Sequence, residues 1–421
     1  MDQMRVVIVG GGFGGFSVAK KLLRSVIADD VAITILDPLS SSVYTPWLYE
    51  VATGSLLESS MRGDLIRATD IPMDRIANIR FRKSSMQSIH AKTRHVVCSD
   101  GSTLAYDICV LAMGSVTNDF GIPGVRQFAM DLKTTSDALM IRTELSSIIS
   151  GASQSSKRIV IAGAGANGVE FAAECAIAIR SMEEESAIPR RSVEVMLVDA
   201  AEDPLKMLSP LLRQKTRNRL RDLGIVLRTN TILAKVDQRS VGLKVVREGI
   251  PSESIEIVLC DFCITALGVR MPEIVNSLPF AKHPKGRIFV EGGMHVLGHR
   301  DIFALGDIAA FTYNKDLLDP QTAQVAVAQA DIVVKNIVAM LTEKPLGEYR
   351  QKQRWDILIA LGGKYAIGNI FGIPVWGYTA YILRRCVDAR YFFSVLPWRD
   401  ALLRVMKGVI IYGKNETAKT D

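Results

Sequence analysis

The sequence predicts an α/β protein with two parallel-sheet, doubly wound domains, the second inserted into the first, and a separate carboxy-terminal segment. Three observations lead to this fold class. A glycine-rich loop joins a strand to a helix near residue 10, the same order of parts recurs after residue 157, and a basic, tryptophan-containing segment follows residue 345. Alternation of strands and helices is typical of parallel sheets with helices on both faces.

The first domain begins with a strand–glycine loop–helix–strand unit. An apolar run over residues 6–9 stops at Gly10, a helical pattern follows, and a second apolar run over residues 31–36 ends at Asp37. In this G-x-G-x-x-G pattern, Gly10 permits the tight turn, Gly12 lets a pyrophosphate approach the backbone, and Gly15 lets the helix pack against the sheet. The helix N-terminus attracts phosphate, and Asp37 is placed to accept hydrogen bonds from a ribose. The pattern predicts a Rossmann-like dinucleotide site.

The same arrangement recurs in the second domain. A strand over residues 158–162 runs into a glycine loop, and a strand over residues 193–198 ends at Asp199. Each domain also closes with a strand that stops at a glycine. The residues that we assign to the second site are Gly163, Gly165, Asn167, Gly168, Asp199 and Gly268. An acid at position 199, without a following arginine, stands where a 2′-phosphate would have to bind, so NADH is favoured over NADPH.

After the second domain, the chain is predicted to return to the first domain. Residues 302–304 form a strand that leads into Gly306 and Asp307, and a long helical run begins near Thr322. We therefore predict that residues 1–125 and 265–345 form the first domain and residues 126–264 the inserted second domain. Residues 346–421 form the carboxy-terminal segment.

Composition limits the remaining choices. The chain has 421 residues, of which 48% are hydrophobic and 23% charged, as in a folded protein. The first strand is predicted to begin at Arg5, so a secretory signal peptide is not expected. Most of the six cysteines lie in apolar runs, which suits a reduced, cytosolic protein. Strand alternation predicts that Cys260 and Cys263 face opposite sides, so we expect neither a redox pair nor a metal site there.

The carboxy-terminal segment carries most of the net charge. Residues 346–421 contain 12 Lys or Arg against 6 Asp or Glu, a local charge of +6 within a total of +7. No run of about 20 apolar residues is present, so a transmembrane helix is not expected. Residues 397–412 instead predict an amphipathic helix lying on an anionic membrane surface. Its bulky aliphatic residues argue against nucleic acid, while a core helix or a homodimer interface stays open as the alternative. The predicted membrane face consists of Trp398, Leu402, Val405, Val409 and Tyr412.

Five segments resemble the type II, non-proton-pumping NADH:quinone oxidoreductases. They are TPWLYEVATG (45–54), YDICVLAMGS (106–115), FGIPGV (120–125), GVEFAAE (168–174) and ALGD (304–307). The likeness covers almost the whole chain. It implies that the first domain holds non-covalent FAD and that the second binds NADH as a substrate. It also implies a quinone acceptor and a peripheral place on the cytoplasmic face of the cell membrane.

The resemblance also implies roles for individual residues. Glu170 matches an acid beside the flavin, where it positions the quinone or relays a proton, although a first-turn helix acid is its simpler interpretation. Lys364 resembles a lysine near the flavin, and Gln324 matches the first glutamine of an AQxAxQ quinone signature. The second glutamine position is Ala328, with Gln329 one place later, which leaves the quinone contacts open. The FAD site is expected to comprise Gly10, Gly12, Phe13, Gly14, Gly15, Asp37, Thr45, Ala112, Gly114, Gly306, Asp307 and Ala323.

Three other functions fit parts of the sequence. A sulfide:quinone oxidoreductase needs a reactive cysteine pair at the flavin, and no suitably placed pair is visible. A soluble NADH-dependent flavin reductase serving a small redox protein would lack the apolar segment. An NADH-binding flavoprotein scaffold would oxidise NADH only stoichiometrically.

Overall fold

The structure is a computed structural model, and it describes residues 3–53, 69–152, 155–185, 192–311 and 318–414. It is a mixed α/β fold with parallel sheets, as predicted. The helices are α1 (Phe13–Leu22), α2 (Leu48–Thr53), α3 (Val125–Phe128), α4 (Thr135–Gly151), α5 (Ala166–Glu185), α6 (Pro210–Asp222), α7 (Glu273–Ser277), α8 (Ala323–Leu341), α9 (Tyr378–Val395) and α10 (Trp398–Lys414). The strands are β1 (Met4–Val9), β2 (Val31–Asp37), β3 (Ser41–Val43), β4 (Asp70–Pro72), β5 (Ile79–Lys83), β6 (Met86–His90), β7 (His95–Cys98), β8 (Thr103–Ala105), β9 (Ile108–Leu111), β10 (Val116–Thr117), β11 (Lys157–Ala162), β12 (Val193–Val198), β13 (Val226–Arg228), β14 (Thr231–Asp237), β15 (Ser240–Arg247), β16 (Ile250–Pro251), β17 (Glu256–Leu259), β18 (Phe262–Thr265), β19 (Val269–Arg270), β20 (Ile288–Val290), β21 (Ile302–Ala304), β22 (Ala309–Phe311), β23 (Ile357–Ala360), β24 (Ala366–Ile370) and β25 (Ile373–Gly377).

The chain forms two compact units. The first comprises residues 1–44, 70–116 and 269–353, and the second comprises residues 45–69, 117–268 and 354–421. The first unit is built on a five-stranded sheet of order β21–β9–β1–β2–β5, in which every neighbouring pair is parallel. The predicted return of the chain is confirmed, because β21 pairs with β9. Continuous apolar runs such as Val6–Val9 are buried, as expected of strands covered on both faces.

The second unit repeats this arrangement. Its parallel sheet has the order β13–β12–β11–β18, and α5 follows β11 as α1 follows β1. The antiparallel strands β14, β15 and β17 pack against this sheet around one apolar core. Cys260 and Cys263 both belong to that core, so the expectation that they face opposite sides is wrong. The reason is that β17 ends at Leu259 and β18 begins at Phe262, so no single strand carries both residues.

The carboxy-terminal part of the second unit is a three-stranded antiparallel sheet followed by two helices. The sheet has the order β23–β24–β25, and α9 packs on it through Ala380 and Tyr381. The predicted helix over residues 397–412 is present as α10, which packs against α9. Trp398 and Leu402 are exposed on it, and Val405 is half-buried. Val409 and Tyr412 of the predicted membrane face have side chains outside the described residues.

One described helix, α8, has the length and apolar composition of a membrane span. Half of that window is buried, and α8 packs against α1 inside the first unit. An ion pair joins Lys21 of α1 to Asp331 of α8. A buried core helix can have the same length and apolar composition as a membrane span, so we interpret α8 as a core helix of the first unit. It corresponds to the long helical run predicted to begin near Thr322. Its N-cap is Thr322, whose hydroxyl accepts a hydrogen bond from the N–H of Val325 at 3.4 Å.

Candidate functional site

The first glycine loop has the shape of a phosphate cradle. A Cβ added to Gly15 would lie 1.9 Å from the carbonyl oxygen of Gly10, so only glycine permits this approach of α1 to the loop. A Cβ added to Gly12 would meet nothing within 4 Å. Gly12 is the N-cap of α1, so the space beside it is open at the helix N-terminus. The N-terminus of a helix attracts phosphate. These residues fit the pyrophosphate of a dinucleotide.

The second loop repeats this geometry. A Cβ on Gly168 would lie 1.8 Å from the carbonyl oxygen of Gly163, and a Cβ on Gly165 would meet nothing within 4 Å. Asn167 is exposed as the second residue of α5. The chain therefore contains two separate cradles of the same construction, one in each compact unit.

An acid at the tip of the second strand braces each loop. Asp37 accepts hydrogen bonds from the N–H groups of Gly11 and Leu39, at 2.6 and 2.7 Å. Burial raises the pKa of the Asp37 carboxyl, against the lowering effect of these two bonds. Asp199 accepts hydrogen bonds from the N–H of Ala164 and, at 2.7 Å, from the N–H of Ala201. Both carboxyls thus stand at the strand end and orient the loop that follows the neighbouring strand.

A network of partly buried hydrogen bonds holds the Gly306–Asp307 turn of the first unit. The hydroxyl of Ser115 donates to Asp307 at 2.5 Å. The N–H of Gly306 donates to Oε1 of Gln329 at 2.7 Å, and Nε2 of Gln329 donates to Asp319 at 3.0 Å. Gln329 is buried and faces the turn. Because it lies one position beyond the expected quinone glutamine, it occupies a different face of the helix. It positions the turn, whereas Gln324 is exposed at the start of α8.

The other expected site residues occupy positions of several kinds. In the first unit, the Phe13 ring packs edge-on against Tyr44 with centroids 5.7 Å apart, and Ala112 directly follows β9. Thr45 and Lys364 are exposed residues of the second unit. Lys364 lies in the loop between β23 and β24. The remaining expected residues lie at element ends: Gly14 in α1, Gly114 after β9, Gly268 after β18 and Ala323 at the first position of α8.

Glu170 lies inside the second unit, and it is not an exposed helix acid. Its Oε1 lies 2.9 Å from Nη2 of Arg384 and accepts a hydrogen bond from the N–H of Ala360 at 3.1 Å. Nη2 of Arg384 also donates to the hydroxyl of Tyr49 at 3.1 Å, and Nη1 donates to the carbonyl of Leu358. Burial raises the pKa of Glu170, and the Arg384 guanidinium opposes this rise. The interpretation of Glu170 as an ordinary first-turn acid is therefore wrong.

Glu170 belongs to a larger set of buried charges. Glu174 lies one turn further along α5, on the same helix face. Glu50 of α2 lies 3.5 Å from the guanidinium of Arg385, which also pairs with Asp388 at 3.1 Å. The indole N–H of Trp47 donates to Asp388 at 3.2 Å. We call Glu50, Glu170, Glu174, Arg384, Arg385 and Asp388 the buried charge cluster.

The cluster contains more carboxyl than guanidinium groups. The cluster has four carboxyl groups and two guanidinium groups, those of Arg384 and Arg385. A third guanidinium, that of Arg219, also lowers the pKa of Glu174. Burial raises the pKa of Glu174 to about 7, although Arg385 and the N–H of Gly363 lower it. Burial also raises the pKa of Glu50 well above its ordinary value. The cluster therefore retains protons at a pH at which exposed glutamates are fully ionised.

Sequence reasoning identified Glu170 and missed its partners. Glu174 and Glu50 lay within two of the quoted segments, 168–174 and 45–54, without being assigned a role. A signal was present, because two glutamates four residues apart in an otherwise apolar helix share its buried face. The Arg384–Arg385 pair in an aromatic helix was a second signal.

The described residues contain neither a cluster of metal ligands nor a disulfide. Among the described residues, no group of three or more His, Cys, Asp or Glu side chains could hold a metal ion. All six cysteines are free thiols, and five of them are buried. Burial raises the pKa of the Cys260 thiol to about 11 and raises that of Cys263 further, which disfavours the reactive thiolates.

Comparison with known proteins agrees with this geometry. The sequence profile of the pyridine nucleotide-disulphide oxidoreductase family matches residues 4–330. A type II NADH:quinone oxidoreductase of Staphylococcus saprophyticus is 24% identical over 404 residues, covering 94% of this chain and 96% of the relative. Its Staphylococcus aureus counterpart is also 24% identical, over 409 residues with the same shares covered.

Solved structures show the same fold. NDH2 from Plasmodium falciparum, solved in complex with NADH, superimposes with a TM-score of 0.82 at 16% identity, covering 98% of this chain and 99% of that one. The sulfide:quinone oxidoreductase of Aquifex aeolicus superimposes with a TM-score of 0.75 at 17% identity, covering 96% and 92%.

Proposed function

Because the chain belongs to the pyridine nucleotide-disulphide oxidoreductase family, we propose that it is an FAD-dependent enzyme that transfers electrons from NADH to a membrane quinone without pumping protons. The observation that carries this proposal is the pair of glycine cradles, each with its own bracing acid, in one chain. One cradle serves a resident dinucleotide and the other an exchanging one. The staphylococcal relatives, which match over nearly their whole length, support quinone as the acceptor.

The residues divide between two ligands. We assign FAD to the first cradle, where Gly12 admits the pyrophosphate, Asp37 accepts from the ribose and Asp307 binds at the turn held by Gln329. We assign NADH to the second cradle, with Gly165 and Asp199 in the corresponding roles. The limits expected for these domains, residues 1–125 with 265–345 and residues 126–264, remain part of the proposal. When bound, FAD supplies a ring that accepts a hydride and passes electrons to an acceptor.

Glu170 is the proposed proton donor to the quinone. Among the described residues both of its contacts use Oε1, so Oε2 is the oxygen that exchanges a proton with the head group. The Arg384 guanidinium and the N–H of Ala360 fix the orientation of the carboxyl. Burial raises the pKa of Glu170, against the lowering effect of the Arg384 guanidinium, and so favours proton uptake by this carboxyl more than at an exposed glutamate. We retain Gln324 and Lys364, both exposed, as candidate catalytic residues.

The carboxy-terminal helices α9 and α10 support a peripheral membrane location. They expose apolar side chains in a segment with a local charge of +6, a combination that binds anionic lipid surfaces. We place the enzyme on the cytoplasmic face of the cell membrane, where NADH is available. A homodimer interface on these helices is the competing use of the same surface.

Stopped-flow spectroscopy of the purified yellow protein tests the proposed function. NADH should bleach the flavin absorbance, and a menaquinone or ubiquinone analogue should restore it promptly, with steady turnover. A colourless protein that never retains added flavin contradicts the assignment of the first cradle. Bleaching without reoxidation by either analogue indicates a scaffold or a reductase of another acceptor.

A further inference from the structure

The hairpin turn between β24 and β25 has an unusual residue in a demanding backbone conformation. Phe371 and Gly372 link the two strands, and both have positive φ values, 50° and 80°. Two-residue turns of this kind strongly favour Asn, Asp or Gly at the first position, because a Cβ crowds the backbone there. A bulky phenylalanine makes the turn less stable, so the needs of the turn do not account for it.

Burial does not compensate for this strain. The side chain of Phe371 is 88% exposed, and that of Ile373 is 64% exposed. The turn itself is well fixed, because the N–H of Phe371 donates to Asp356 at 2.7 Å and Ile370 pairs with Ile373. The fold therefore holds two large apolar side chains outward on a rigid support.

The apolar surface continues from the turn into the next helix. Gly377 ends β25 and is the N-cap of α9, so the hairpin and α9 are joined without a linker. Strand alternation places Ile373 on the same sheet face as Val375, which packs with α9. Three exposed apolar residues of α9, Tyr378, Ile382 and Phe393, share one helix face, whereas the exposed Val387 lies on the opposite face. The helix α10 packs against α9 and carries further exposed apolar residues, Trp398, Leu402, Leu403 and Met406.

The positive charge of the carboxy-terminal segment favours anionic lipid as the binding partner of this apolar surface. Residues 346–421 carry a local charge of +6, and Nζ of Lys215 lies 5.0 Å from the ring centroid of Trp376 in β25. Trp376 lies on the other sheet face from Ile373 and Val375. A tryptophan beside a lysine is typical of residues at the level of lipid head groups. Anionic lipid therefore complements the surface better than a second copy of this basic segment does.

We propose that the Phe371–Gly372 turn inserts Phe371 and Ile373 into the acyl layer of an anionic membrane, as a second anchoring element beside α10. This inference rests on the membrane location in the proposed function and extends it to a part of the chain outside the amphipathic helices. The hairpin fixes the depth and the orientation of the carboxy-terminal sheet, because β24 pairs with both β23 and β25.

We call the side chains of Phe371 and Ile373 the apolar wedge. The test is a substitution that stabilises the turn while it removes the Phe371 part of this wedge. Phe371→Asn places a favoured residue at the positive-φ position, so its thermal stability should equal or exceed that of the wild type. The matched control is Phe120→Asn. Phe120 is also followed by a glycine, both have positive φ values, 49° and 66°, and its side chain is 64% exposed. Phe120 belongs to none of the elements that carry the apolar surface, which are β25, α9 and α10, and the neighbouring Asp119 is paired with Arg126.

Binding of the FAD-loaded full chain is measured by cosedimentation with vesicles of equal parts phosphatidylcholine and phosphatidylglycerol. Phe371→Asn is expected to lower the partition coefficient on the order of tenfold, or about 1.4 kcal/mol, while Phe120→Asn leaves it unchanged. Turnover of NADH with a water-soluble quinone should be the same in all three proteins. Equal vesicle binding by the wild type and Phe371→Asn overturns the proposed wedge and leaves the enzymatic function standing.

Two further outcomes separate the wedge from its rivals. Failure of the wild type to bind these vesicles contradicts the membrane location itself and removes the basis of the wedge. A loss of dimers in sedimentation velocity for Phe371→Asn, with unchanged vesicle binding, assigns the turn to a second copy of the chain and overturns the lipid proposal. In a Phe371→Trp variant, added fluorescence that is quenched by lipids with a shallow acyl-chain spin label supports insertion.

Discussion

Replacing Glu174 with glutamine should remove a large part of the pH dependence of stability. The folded protein holds the pKa of Glu174 at about 7, against an ordinary value of 4.5. Between these values the folded state binds a proton that the unfolded state has released, so the free energy of unfolding falls as pH rises. A difference of about 2.5 pKa units corresponds to at most about 3.4 kcal/mol, reached above pH ~7. Glutamine keeps the size and the acceptor oxygen but does not ionise.

Thermal unfolding of the flavin-loaded protein at about pH 5 and about pH 8.5 measures this effect. The Glu174→Gln variant should match the wild type at the lower pH and exceed its stability by up to about 3 kcal/mol at the higher pH. Some slope should remain, because burial also raises the pKa of Glu50 and Glu170. Glu144→Gln, an exposed substitution in α4, is the control. A stability difference that is equal at both pH values would refute the reasoning.

Other changes test the pairing, the cradles and the helices. Arg384→Met leaves the Glu170 carboxyl buried without its ion pair and should cost about 3–5 kcal/mol in chemical unfolding, most of which Glu170→Gln restores in the double variant. Gly168→Ala should raise the KM for NADH in steady-state assays while the visible flavin spectrum is retained. Gly15→Ala should yield a protein that purifies colourless, since its Cβ would meet the carbonyl oxygen of Gly10 at 1.9 Å. Truncation after Val395 should weaken cosedimentation with membranes while NADH still bleaches the flavin, and undiminished binding would contradict a role of α10.

The two nucleotide-binding units could be predicted because their signals are local. Gly10, Gly12 and Gly15 lie within six positions, and the acid that braces the loop ends the very next strand. The requirement that Gly15 lack a side chain comes from a carbonyl five residues away. Such short-range constraints appear directly in the sequence.

The buried charge cluster could not be predicted because its parts come from distant segments. Tyr49 and Arg384 form a hydrogen bond although 335 positions separate them in sequence. Helix phase was the other missing information. Gln329 lies one residue beyond the expected position, which turns its side chain into the first unit, where it bonds Gly306 and Asp319. The Cys260–Cys263 pair was misplaced because strand alternation was applied across a turn.

The carboxy-terminal segment also stabilises buried acids that lie far upstream in the sequence. Arg384 and Arg385 of α9 supply the guanidinium groups that neutralise Glu170 and Glu50, which lie far upstream. Deleting α9 together with α10 would leave those acids without their guanidinium partners inside the second unit, whereas deleting α10 alone would keep both pairs. The segment that we propose to contact the membrane is thus also part of the packing around Glu170, so a change in α9 affects both.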